Sequence, residues 1–303
     1  MALVRQPSAA AKREAWAFHL FISPWLIGFI VFTLFPVVAS LALSFTKYNV
    51  SQPPVWIGLK NYRDALTVDP SFFLSLRVTW VYSLASIPLQ LSLGLIIALL
   101  LNADIPLVSV WRTLYYLPSV LSGVAVAVLW TLIFHPSSGI LNQILAKFGV
   151  TGPLWLYSKD WALPALIIMS LWGVGGSMII YLSSLQGVPT TLYEAATIDG
   201  ANGWKRFWNI TLPMITPVVF FNLIMGIISS LQTFTNAFVM TEGGPENATL
   251  FFGLKLYYAA FRDIRMGYAS MMAWVLFIII MLLTLAVVKS SEAWVYYEGS
   301  VKR

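Results

Sequence analysis

The segment Glu194-Ala195-Ala196-Thr197-Ile198-Asp199-Gly200-Ala201, running on through Phe207 and Ile210 to Leu212-Pro213, decides how the rest of the chain is read. It is a polar, charged, amphipathic island between two long apolar runs. A loop that only joins neighbouring membrane helices can be far shorter. Thr190 or Thr191 is expected to cap a first short helix, with Glu194 at capping-box distance from Thr191. Gly200 permits a turn, and a second helix over 203–210 sets Phe207 and Ile210 on one face. Periodicity alone also fits a helix lying on the lipid surface.

Outward from the island the chain is strongly apolar. Of 303 residues, 59% are hydrophobic and only 10% charged, against about a quarter charged in an average soluble domain. Apolar segments at 18–45, 72–101, 114–134, 163–185, 214–239 and 268–288 are each long enough to cross a hydrocarbon core of about 30 Å as a helix. Lipid cannot satisfy backbone polar groups, and the pattern is not that of a barrel. The expected class is therefore all-α: a polytopic membrane protein of six transmembrane helices, forming a single domain over 1–303. The first apolar run follows Lys12 and Arg13, but it is too long for a signal peptide and lacks a small-residue cleavage site. Cysteine is absent, so redox compartment is not readable.

Charge orients the chain weakly. Six spans put both termini on one side, and the 18 Lys and Arg divide evenly between the two faces. Arg5, Lys12 and Arg13 favour a cytoplasmic N-terminus, which would put Lys302 and Arg303 there too. The net charge of +6 fits contact with anionic lipid, and no basic patch points to nucleic acid. On the face away from the termini, 46–71 carries the breaker Gln52-Pro53-Pro54, 135–162 a possible short helix over 140–148, and 240–267 the turn Glu242-Gly243-Gly244-Pro245.

The spans lack mid-membrane Asp, Glu, Lys or Arg, which argues against proton coupling though not against sodium. There is no phosphate-binding G-x-x-x-x-G-K-[ST] loop, no constellation for an intramembrane hydrolase, and no metal site from His19 and His135. Energy for uphill transport must come from a partner. The fifth span instead carries Asn222, Gly226, Ser229, Ser230, Thr233 and Asn236 at spacings of three and four, hence on one helix face. Such a stripe serves helix packing or lines a watery path for an uncharged, polyhydroxylated solute. In the fourth span Trp172 offers a flat face to a sugar ring or simply packs. Gly173, Gly175 and Gly176, with Ser177, allow close approach or a break. Pro88, Gln90, Pro118, Ser119 and Ser122 add kinks and polar lining.

Glu194-Ala195-Ala196-x-x-Asp199-Gly200-Ala201 with Phe207, Ile210 and Leu212-Pro213 resembles the EAA loop of ABC importer permeases. Phe45-Thr46-x-Tyr48, Gly58-Leu59-x-Asn61-Tyr62, Arg112-Thr113-x-x-Tyr116-Leu117-Pro118, Thr241-x-Gly243-Gly244-Pro245 with Ala248-Thr249, and Phe261-Arg262 with Met266-Gly267-Tyr268-Ala269 are similar to carbohydrate permeases of the MalF and UgpA type. The resemblance implies a MetI/MalF-like type I importer fold. It makes 187–213 a cytoplasmic coupling loop whose Glu194, Ala195, Ala196, Asp199, Gly200, Ala201 and Phe207 dock on an ATPase. Carrying over the maltose permease's sugar contacts points to Gly226, Ser229, Ser230 and Thr233, and to Met169, Trp172, Gly173 and Gly176. Residue types differ at most of these places.

The implied partners are a second homologous permease, two ATP-binding subunits that hold ATP and magnesium, and an extracytoplasmic solute-binding protein. The implied setting is a bacterial or archaeal cytoplasmic membrane with both termini cytoplasmic. The chain itself needs no cofactor and performs no covalent chemistry. Glycerophosphodiesters or polyamines remain alternative cargoes, and a sodium-coupled transporter is the alternative of another class.

Overall fold

The computed structural model describes residues 9–296; Arg5, Lys302 and Arg303 lie outside the described residues. In chain order the elements are α1 (Ala9–Phe29), a π turn (Ile30–Leu34), α2 (Phe35–Ser44), β1 (Thr46–Lys47), β2 (Val55–Trp56), α3 (Lys60–Thr67), α4 (Pro70–Leu101), α5 (Val108–Val120), α6 (Gly123–Ile133), α7 (Ile140–Lys147), a short 3-10 turn (Trp155–Tyr157), α8 (Lys159–Leu171) and α9 (Gly175–Gln186). Then follow α10 (Thr190–Ile198), α11 (Gly203–Arg206), a π turn (Phe207–Thr211), α12 (Leu212–Leu231), α13 (Thr235–Met240), α14 (Phe252–Tyr257), a third π turn (Tyr258–Arg262) and α15 (Met266–Trp294). Among the described residues, four helices are long and apolar enough to cross a membrane: Arg13–Ser44, Pro70–Leu101, Gly203–Met240 and Met266–Trp294. There are six if the bent pairs α5–α6 and α8–α9 each count as one.

The chain divides into two compact units. The first comprises residues up to Asp64 together with Ala259–Trp274. Its helix must stop at Ser44, which leaves carbonyls without partners. Buried Asn61 supplies them: its side-chain amide donates to Ser44 O at 2.8 Å and Thr46 O at 2.9 Å. β1 then pairs antiparallel with β2, Thr46 opposite Trp56, and Phe45 stacks on Trp56. Gly267 must be glycine, because a Cβ there would lie 2.1 Å from Thr46 O. Its amide donates to Tyr48 O at 3.2 Å. The motif residues Thr46, Tyr48, Asn61 and Gly267 therefore form one structural knot.

The second unit, Ala65–Tyr258 with Val275 onward, is built around α4. Asp69 caps α4, accepting from the Ser71 amide at 3.0 Å, and Pro70 stands in its first turn. At the other end Arg112 donates to Leu101 O at 3.1 Å, closing the helix C-terminus. One apolar cluster joins α4, α8 and the 241–258 hairpin through Tyr82, Leu166, Phe251 and Leu254. A second joins α4, α9 and α12 through Ala98, Met178, Tyr181 and Ile215.

The third apolar run is not a straight span. The chain turns by 102° between α5 and α6. Pro118 cannot extend the hydrogen-bond ladder, Leu121 is extended, and Ser122 restarts helix by accepting from the Ala125 amide. The fourth run bends by 41° between α8 and α9. Just past that break, a Cβ on Gly175 would meet Tyr115 O at 2.3 Å, so this glycine serves close approach to α5. Gly175→Ala should cost about 1–3 kcal/mol by overpacking, read as a lower melting temperature of the purified protein.

The hairpin over 241–258 is tied to α4. Thr249 Oγ1 contacts Thr241 Oγ1 at 2.7 Å and donates to Gly244 O at 2.8 Å, while Gly243 adopts φ +88°. The Phe252 amide donates to Thr79 Oγ1 at 2.9 Å. Lys255 pairs with Asp69 at 2.6 Å, with side chains only 12% and 19% exposed. Removing one partner of so enclosed a pair leaves the other charge uncompensated, so Lys255→Met should destabilise by about 3 kcal/mol, measurable by thermal unfolding in detergent. At the exposed tip Lys159 pairs with Glu246 at 2.8 Å. That hydrogen bond, then the lysine's charge, holds the Glu246 carboxyl below the usual carboxylate range. A depressed carboxyl adds stability above its unfolded value and loses it on acidification, so this tie is intact at neutral pH.

Candidate coupling segment and substrate cavity

The island of the opening is a pair of helices turned sharply on each other. α10 starts after Pro189 with no side-chain cap, and Thr190 and Thr191 lie inside it. The expected capping box is therefore absent: Pro189 brings its own fixed φ to the N-cap and takes the place a threonine would occupy. The C-terminal end is a Schellman motif. The Ala201 amide reaches Ala196 O at 2.8 Å and the Gly200 amide reaches Thr197 O at 3.1 Å, with Gly200 at φ +72°. The pattern Ala-x-x-x-Gly-Ala is thus the chemistry of one turn.

Asn202 then caps the next helix, its side chain accepting from the Lys205 amide at 2.9 Å. That helix is not a separate short element as expected. It runs from Gly203 through the π turn into α12: Leu212 is helical and its amide donates to Phe207 O, so the ladder shifts register just before Pro213. Glu194, Ala195, Asp199 and Gly200 are exposed, while Ala196, Ala201 and Phe207 are half-buried. Ile198 is 88% exposed and Trp204 is 70% exposed.

Within the second unit, α4, the α8–α9 bend and α12 enclose two adjoining cavities of about 380 Å³ and 340 Å³. They share Gln90, Gly173 and Ser229. The first contains Asn222, Gly226 and Ser177; the second contains Trp172, Ser230, Thr233 and Asn236. Every member of the fifth-span stripe therefore lines this space. Gly176 lines neither cavity, and a Cβ there would meet nothing within 4 Å. Tyr82, which follows Thr79 and precedes Ser83 and Ser86, was not singled out from the sequence, nor was Ser170, a lone polar residue in an apolar run; both also line the second cavity. The Tyr82 hydroxyl interacts with Ser170 and Thr233.

The lining holds no Asp, Glu, Lys, Arg or His. It is a set of neutral amides and hydroxyls. Asn222 is 6% exposed, and its side chain interacts with the Tyr181 hydroxyl. Trp172 stands edge-on to Trp130, ring centres 6.0 Å apart, and is 36% exposed beside the cavity. Among the described residues no group of His, Asp or Glu could hold a metal ion.

Long apolar helices, a neutral cavity and an amphipathic two-helix segment are the features of a multi-pass membrane protein. The family of binding-protein-dependent transport system inner membrane components matches residues 90–295, and the chain belongs to that family. It is 45% identical over 296 residues to the probable ABC transporter permease protein YesP of Bacillus subtilis, covering 96% of each chain. It is 35% identical over 280 residues to the multiple sugar-binding transport system permease protein MsmF of Streptococcus mutans, covering 91% of this chain and 95% of that one. In fold it is similar to a chain of a bacterial ABC transporter involved in alginate import, with TM-score 0.82 at 23% identity, over 92% of this chain and 96% of that one.

Proposed function

We propose that this permease carries a sugar or oligosaccharide across the cytoplasmic membrane of a bacterium or archaeon, forming half of the path. The carrying observation is the uncharged cavity lining, in which Gln90, Asn222, Ser229, Ser230 and Thr233 supply neutral amides and hydroxyls. Relatives named for sugar transport support the carbohydrate reading. Glycerophosphodiesters would need a cation and polyamines an anion, and this lining supplies neither. Any charge on the solute must be read by the second permease.

ATP is bound with magnesium and hydrolysed in two partner subunits, not in this chain. The segment 187–213, on the cytoplasmic side with both termini, docks on one of them through Glu194, Ala195, Ala196, Asp199, Gly200, Ala201 and Phe207. A solute-binding protein delivers the cargo at the opposite face, near 46–71 and 240–267. ATP-driven closure of the ATPase pair moves α10, and the helices around the cavity change which side they open to.

The test is reconstitution of the complete complex in vesicles with ATP inside. Uptake of a neutral oligosaccharide is expected, with no uptake of a glycerophosphodiester or a polyamine. Uptake of either charged cargo in its place would overturn the carbohydrate reading. Gln90→Leu removes an amide shared by both cavities, and a well-made hydrogen bond contributes about 1 kcal/mol. The half-saturating solute concentration should rise several-fold while assembly is unchanged.

A further inference from the structure

Motion of α10 must reach a cavity that begins well along α12, and two helices joined by a glycine turn do not by themselves move together. Two polar contacts bridge them, Arg206 to Thr197 at 3.3 Å and, nearer the root of α12, Tyr193 to Thr211. The Tyr193 hydroxyl lies 2.9 Å from Thr211 Oγ1. Thr211 is 7% exposed and closes the π turn Phe207–Thr211, from which α12 continues unbroken to Leu231. Both ends of this contact are anchored. Tyr193 packs with Ile210 and Leu212 against the cluster of Tyr181, Leu185 and Ile215. Thr197 Oγ1 donates to Tyr193 O at 2.7 Å and accepts from Arg206 at 3.3 Å. The exposed docking face of α10 is therefore clipped at its rear to the root of the helix that carries Asn222 and Ser229.

We infer that the Tyr193–Thr211 contact transmits displacement of α10 to α12, and that both are positioning residues for transport. The contact falls where a π turn interrupts the α-helical register, a feature frequent at functional sites. Asn222 lies about 16 Å along the helix from Thr211 at 1.5 Å per residue. The helix stays continuous past Pro217, so a shift at its root is carried toward the cavity. Without the hydroxyl pair, α10 can follow the ATPase while α12 lags. This inference rests on the coupling role proposed for 187–213.

Tyr193→Phe and Thr211→Val each remove one hydroxyl at nearly constant shape. In the complete reconstituted complex, ATP hydrolysis should continue while solute carried per ATP falls about threefold to tenfold, the range of one lost hydrogen bond. Thr211→Ser keeps the hydroxyl and should retain the wild-type ratio, a recovery that a packing role would not produce. The double variant should be no worse than either single one, because one contact is broken only once. Wild-type ratios in Tyr193→Phe and Thr211→Val, or additive losses in the double variant, would overturn the inference. Glu194→Lys, run alongside, separates the two levels. If it abolishes transport while the hydroxyl variants are normal, the clip alone is refuted; if it transports normally, the coupling reading has failed.

Discussion

Ser229→Trp is expected to lower solute uptake by at least about 100-fold, or ~2.7 kcal/mol, while the protein still inserts and assembles. Ser229 borders both cavities and is exposed toward them. Its hydroxyl is committed only to Gly226 O, at 3.3 Å within its own helix turn. An indole there projects into empty space instead of into packed neighbours, so the fold tolerates it and the path does not. Ser229→Ala removes only the hydroxyl and should change uptake by no more than about tenfold. Transport assayed in vesicles, beside gel filtration of the assembled complex, separates blockage from misfolding. If Ser229→Trp transports at the normal rate, the stripe serves helix packing alone.

Glu194→Lys and Gly200→Val should both impair transport, by different physical routes. Glu194 is exposed on α10 and has no intrachain role that its removal would break. Reversing its charge puts repulsion where a basic group or helix end of the ATPase is expected, and like-charge juxtaposition at an interface costs several kcal/mol. The variant should therefore insert normally yet fail to retain the ATPase on purification. Gly200 acts through the backbone. Its φ of +72° is strained for any L side chain and worst for a β-branched one. The penalty is about 1–2 kcal/mol, and it falls on the turn that sets α10 against the helix beginning at Gly203. Gly200→Val should re-aim α10 and lose uptake about tenfold or more, with thermal stability little changed because the turn is solvent-exposed. Gly200→Asn, which tolerates the left-handed region better, should recover part of the activity. Normal uptake in Gly200→Val would mean that the turn geometry is not part of coupling.

The helical membrane class was legible because long apolar runs have few other solutions in lipid. The Gly200 turn was legible because left-handed geometry restricts residue type. The fifth-span stripe was legible because polar residues at helical spacing in a hydrophobic run share one face. Less visible were Tyr82 and Ser170, whose meaning comes from neighbours on other helices. A kink near Pro118 was legible, but not a turn of 102° at Leu121. Pro118 announces a break in hydrogen bonding, but its angle depends on what α6 packs against. The capping box at Thr191 failed because Pro189 ends the preceding segment first.

Sequence by itself determined the all-helical membrane class, the amphipathic island and the neutral character of the fifth-span face, since each follows from local chemistry repeated at a fixed spacing. Only the tertiary structure decided that Gln90 and Ser229 border two adjoining cavities, with Asn222 in one and Trp172 in the other, and that the island's second helix runs into the helix lining them. Convergence of side chains from separate helices depends on long-range packing, and no periodicity within one segment encodes the position of another.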